Sequence, residues 1–138
     1  MMLNKKTRKG FTLLELLVVI SIISILLALG VVAYSTAQRK GRDAKRRADI
    51  KALQSGFEQY YAEYNGYAEC SAMKEDTDIF PGGTPLDPRE ETEYACSYDD
   101  EANTYCVCAE LETGGGNASD EDCTIESDGD FYCLTNLQ

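Results

Sequence analysis

The chain has 138 residues, with 24 acidic and 13 basic side chains, no histidine and 6 cysteines, a length that holds one modest domain. With no histidine, no Gly-rich phosphate loop and no nucleophile motif, catalysis would have to rest on carboxylates alone, and the composition argues against an enzyme. Charge is uneven: residues 54–138 carry 21 acidic side chains against Lys74 and Arg89, whereas residues 1–53 carry 11 basic and 3 acidic ones, which points to two compartments or two partners.

In chain order, a polar leader (residues 1–10) carrying Lys5, Lys6, Arg8 and Lys9 comes first. It has the character of the positive end of a targeting segment. An apolar run begins abruptly at Phe11, and Leu16 to Tyr34 contains 19 residues without a charge. As a helix these reach about 28 Å, close to the hydrocarbon thickness of a bilayer. Residues 11–34 therefore read as a transmembrane helix. Beyond the span lie Arg39, Lys40, Arg42, Lys45, Arg46 and Arg47, which outnumber the leader charges, so a simple count of positive flanks would place the C-terminal part inside. The cysteines argue the reverse. Cys70, Cys96, Cys106, Cys108, Cys123 and Cys133 form an even set in a segment poor in aliphatic residues, the pattern of a domain stapled by disulfides in an oxidising, extracytoplasmic space.

Helical periodicity continues through Ala44, Ala48, Ile50, Leu53, Phe57, Tyr60, Tyr61 and Tyr64, defining one apolar face. Asn65-Gly66 then predicts a stop, with Gly66 suited to the left-handed closing conformation. Residues 35–65 thus extend the span as an amphipathic helix; residues 66–138 form an acidic, Cys-rich β domain. Within it, Tyr94–Tyr98 and Thr104–Ala109 read as a hairpin. A five-residue loop, Asp99–Asn103, sets Cys96 opposite Cys106, with Cys108 as a rival partner. Gly114–Asn117 reads as a loop and Phe131–Leu134 as a last strand. Cys106-Val107-Cys108 is read as two structural half-cystines rather than a redox pair. The Asn117-Ala118-Ser119 acceptor pattern carries no assignment. The fold class is α+β: a long helix whose second half packs on a small, disulfide-stapled antiparallel sheet.

The most informative stretch is Lys9-Gly10-Phe11-Thr12-Leu13-Leu14-Glu15-Leu16-Leu17. An ionisable group inside a spanning helix is costly, of the order of 3 kcal/mol on insertion scales, and seeks a partner. These residues resemble the type III signal of type IV prepilins and type II secretion pseudopilins, and the helix through Tyr64 is similar to theirs. The resemblance implies cleavage between Gly10 and Phe11 by a membrane prepilin peptidase and N-methylation of Phe11. It also implies assembly with like subunits on an inner-membrane platform, Glu15 neutralising the Phe11 ammonium of a neighbour. The chain would be a single-pass protein of the cytoplasmic membrane with its C-terminal domain outside, and later part of a pilus at the cell surface. Many family members carry a proline near Val32, where the helix loosens in the filament; here Gly30 is the only candidate weak point, so such melting is not expected. Resemblance to major pseudopilins also raises Ca2+ binding at Asp120, Asp122, Asp128 and Asp130, against a solvated acidic surface. The basic collar at 39–47 suits lipid headgroups or acidic neighbouring heads better than DNA. The rival reading is a Sec-secreted or single-span-anchored Cys-rich binding domain.

Overall fold

The computed structural model describes residues 10–138; the leader charges at 5, 6, 8 and 9 lie outside the described residues. The chain divides into two compact units, Met1–Ala37 and Gln38–Gln138. One helix, α1 (Leu13–Tyr64), contributes to both.

In the first unit every described residue is exposed, including Leu13, Leu17, Ile20, Ile25 and Leu29. The segment is long and apolar enough to cross a membrane. Its few hydroxyls are satisfied within the helix: Ser21 Oγ donates to the Val18 carbonyl at 2.8 Å and Ser24 Oγ to that of Ile20 at 2.7 Å. Thr36 Oγ1 and Ser35 Oγ both donate to the Val32 carbonyl. Such bonds suit a helix with no water alongside. The helix runs through Gly30 without a break.

The second unit contains the remainder of α1, a short helix α2 (Cys70–Glu75) and five strands: β1 (Ala95–Asp99), β2 (Thr104–Glu110), β3 (Gly116–Ala118), β4 (Ile125–Gly129) and β5 (Phe131–Thr135). The sheet has the order β1-β2-β5-β3-β4, with every neighbouring pair antiparallel. Strand alternation divides β2 between two cores. Tyr105, Val107 and Ala109 pack with Ile50, Leu53 and Phe57 of α1 and with Tyr67, Met73 and Tyr94. Cys106 and Cys108 turn to the other face, beside Cys133 and Ala118. Because both faces are covered, β2 is buried along nearly its whole length.

On the helix side the packing is aromatic. The Phe57 ring meets Tyr105 edge-on at 5.0 Å and Phe80 at 6.2 Å. Phe80 occupies the space that a side chain at Gly56 would need, so the ring lies directly on the helix backbone. Glu58 Oε1 accepts from the hydroxyls of Tyr67 (2.8 Å) and Tyr105 (2.9 Å) and from the Leu137 N–H (3.0 Å), drawing the C-terminal residues onto α1. Burial and then this carboxylate push both phenols well above their usual range.

The structure departs from the sequence expectations in four places. First, α1 closes at Asn65, whose φ of 56° supplies the left-handed residue expected of Gly66; asparagine tolerates that region better than other non-glycine residues. Second, Gly116 and Asn117 belong to β3 rather than to a loop. Gly116 lets the β5 backbone come close, and the Asn117 amide bonds both backbone groups of Cys133, at 2.7 and 2.8 Å. Third, the buried face of α1 is polar in its first turns within this unit: Ala44 and Ala48 are exposed while Asp43, Arg46 and Asp49 are buried.

The fourth departure is hairpin register. Asp99 pairs with Thr104, so the loop has four residues and Cys96 faces Val107, with Ser97 opposite Cys106. Asn103, at φ 51°, and the bond from the Ala102 N–H to Asp99 Oδ1 shape the tighter loop. A one-residue slip moves a side chain to the opposite face. Cys96 therefore packs on the helix side and bonds Cys70, while Cys106 bonds Cys123 and Cys108 bonds Cys133 on the other. Cys108 and Cys133 are direct cross-strand partners in the β2–β5 ladder.

Candidate functional site: the exposed helix terminus and the charged clamp

Two places concentrate chemistry. The first is the N-terminal end of α1. Phe11 is 90% exposed and Gly10 is also open to solvent. Thr12 stands immediately before the first helical residue, and Glu15 lies three residues on. Glu15 Oε2 accepts from the Thr12 N–H and from Thr12 Oγ1, each at 2.9 Å, while the Glu15 N–H donates to Thr12 Oγ1 at 3.2 Å. This is a capping box, in which two otherwise orphaned helix-end donors are satisfied reciprocally. The Thr12-Leu13-Leu14-Glu15 spacing signals it in the sequence, where Glu15 otherwise reads as a charge in an apolar run and, by resemblance, as the partner of a neighbouring ammonium. The carboxylate thus also starts the helix, and Oε1 takes no hydrogen bond among the described residues.

The second place is the polar stretch of α1 in the second unit. Arg46 is buried among three carboxylates. Its Nε and Nη2 grip Asp87 at 2.6 and 3.2 Å, and Nη1 donates to Asp43 and to Glu112, both at 2.9 Å. Arg42 forms a second two-pronged pair with Glu112, at 2.6 Å for each bond. Asp43 in turn accepts the backbone N–H groups of Glu112 and Thr113 and the Thr113 hydroxyl. One turn later, Asp49 receives Lys45 and the Tyr94 hydroxyl. The result is a clamp that ties the loops around residues 87–94 and 111–113 to one helix face.

Electrostatics follow from these pairs. The Arg46 guanidinium holds the Asp87 carboxyl down to about 2, and Arg42 with Arg46 does the same for Glu112, to about 2. Burial would raise Asp43, but its bonds from Thr113, the Glu112 N–H and Arg46 outweigh burial and lower it. Arg46 is raised, first by Asp87. Much of the basic collar is therefore internal. Arg47 also turns inward, over the Tyr132 ring at 4.8 Å and onto the Gly115 carbonyl.

Asp120 caps its own turn through the Thr124 N–H. Asp122 lies in the loop that follows; Asp128 sits in β4 with φ 66° and Asp130 precedes β5. The four positions are spread over turn, loop and strand. Cys106, Cys108, Cys123 and Cys133 bring their sulfurs within 4.8 Å of one another, and all four are taken up in the two disulfides of the outer face.

A long apolar helix joined to a five-stranded antiparallel sheet with disulfides defines an α+β, pilin-like fold. Residues 5–31 match the prokaryotic N-terminal methylation motif. The chain is also similar to the type IV major pilin protein PilA of Myxococcus xanthus (strain DK1622), at 30% identity over 61 residues; that stretch is 44% of this chain and 28% of the relative. No solved structure matches the chain. The motif covers residues 5–31 and the relative's match 61 residues, so the likeness to type IV pilins is one of part of the chain.

Proposed function

We propose that this chain is the precursor of a structural subunit of a type IV pilus or secretion pseudopilus. A membrane prepilin peptidase hydrolyses the Gly10–Phe11 peptide bond and methylates the new Phe11 amine, leaving a cationic end. The subunit waits in the cytoplasmic membrane as a single-span protein with its second unit outside. On an assembly platform the exposed face of α1 leaves lipid and packs against the helices of like subunits. Glu15 of one subunit neutralises the Phe11 ammonium of its neighbour, fixing axial register.

The observation that carries this reading is Glu15. It is the acidic side chain in the first turn of a helix whose following residues are apolar and exposed, and Phe11 stands just ahead of it. In lipid a carboxylate strongly favours a state in which a cation meets it. The 5–31 motif match supports the processing step.

The mature N-terminus tests the proposal. Intact mass and N-terminal sequencing of native material are expected to show methylated Phe11. A start between Val31 and Gln38, or an uncut chain, would replace it with the secreted or permanently anchored Cys-rich binding domain.

A further inference from the structure

The ion pairs of the second unit sort its charges into used and unused ones. Arg42, Arg46, Lys45, Lys74 and Arg89 all have carboxylate partners within 4.0 Å. Arg47 lies over an aromatic ring. Arg39, Lys40 and Lys51 have neither an ion pair nor a ring contact among the described residues, and all three are exposed and on α1. Along a helix, Lys40 and Lys51 share one face about 17 Å apart and Arg39 flanks them about 100° round the axis, so these cations form a strip rather than a point.

Carboxylates without an ion pair among the described residues are spread over the rest of the second unit, and two of them lie on one sheet edge. β4 is an edge strand that pairs only with β3. It carries Glu126 and Asp128, both exposed and without an ion pair among the described residues, and the exposed Ile125 at 67%. Acidic side chains on a sheet edge guard against indiscriminate strand pairing. They leave the edge available to a partner that brings cations.

We infer that the Arg39/Lys40/Lys51 strip of one copy of this chain docks against the acidic β4 edge of a second copy. The inference rests on the pilus-subunit reading and deepens it by naming a contact between exported units. Two arguments carry it. An open filament needs a heterologous contact, made by two different and complementary patches on the same chain, and this chain has such a pair. The chain has a formal net charge of -11, and loss of the leader cations Lys5, Lys6, Arg8 and Lys9 makes the subunit more negative still, so it repels its own copies unless the few free cations are placed against neighbouring acids.

The test uses the full chain, expressed with its native assembly apparatus, and reads sheared filament yield against subunit held in the membrane. Lys40→Glu with Lys51→Glu, and separately Glu126→Lys with Asp128→Lys, are each expected to lower yield by about five-fold or more, since a contact weak in one exposed pair repeats along the polymer. The quadruple variant, with both patches exchanged, is expected to regain most of the wild-type yield. Near-wild-type yield from both double variants overturns the inference, as does a quadruple variant no better than its parents. So does a defect confined to the lysine variants together with lost binding to phosphatidylglycerol vesicles, which would assign the strip to lipid. Circular dichroism and the absence of free thiols check that each variant folds. Uncut wild-type chain that forms no filament would sink the pilus reading itself; processed, filament-forming wild type with indifferent charge variants sinks only this contact.

Discussion

Glu15 serves two purposes that a substitution can separate. Its carboxylate caps α1 through Thr12, and in the proposed filament it also neutralises a neighbouring ammonium. Glutamine preserves a capping box but carries no charge. Glu15→Gln is therefore expected to insert and be cleaved as the wild type does, yet to lose filament yield nearly as severely as Glu15→Leu. Wild-type yield from Glu15→Gln together with a defect in Glu15→Leu would assign the residue to helix capping alone. The measurement is pelleted filament protein per unit of membrane subunit. Asn117 is a comparable case of an unremarked side chain with a definite task, since its amide replaces a ladder pair for Cys133.

At the level of elements, the clamp around Arg46 joins α1 to two loops that have little apolar surface of their own. Its weakness is acid. Asp87 and Glu112 are held at about 2 in the folded chain, below the usual 3.9 and 4.3 of free side chains. A depressed carboxylate contributes stability that is complete above its unfolded value and is lost as pH falls through the folded one. The second unit is therefore expected to keep its thermal stability from neutrality to about pH 5 and to lose it progressively towards about pH 2. Arg46→Met removes the cation and leaves three carboxylates crowded together, which is expected to cost about 3–5 kcal/mol. Thermal melts followed by circular dichroism across that pH range check both. A wild-type profile flat down to pH 2 would show that the clamp contributes little.

At the scale of the molecule, the second unit has a small core and is held by covalent links across both faces of its sheet. The bonds enclose sequence separations of 26, 17 and 25 residues, for which chain entropy suggests about 3 kcal/mol each. Removing Cys70 and Cys96 together by serine substitution is expected to lower stability in urea by about 2–4 kcal/mol and to leave no reactive thiol. If Cys96 instead bonded Cys106, the same variant would release two thiols, so thiol titration under denaturing conditions distinguishes the pairings.

Features that depend on short stretches of chain were legible without coordinates. The apolar run after Phe11, the charge at Glu15, the stop near Asn65 and the hairpin strands follow from residue type and spacing, because length, hydrophobicity and alternation act locally. β3 and β4 were not legible. Gly116-Asn117-Ala118 has little strand propensity, and Ile125–Gly129 lies on an exposed edge with no buried face to impose alternation. The clamp was hidden for a different reason: Arg42 and Arg46 look like surface charges until Asp87 and Glu112, 41 and 66 residues beyond Arg46, arrive beside them. Disulfide pairing depended on a hairpin loop one residue shorter than expected, since strand side chains change face at every step. Local chemistry thus identified a helix long and apolar enough to cross a membrane, with a marked terminus, whereas the partners of the chain's charges and cysteines had to await the meeting of distant segments, because burial and pairing are properties of neighbours in space.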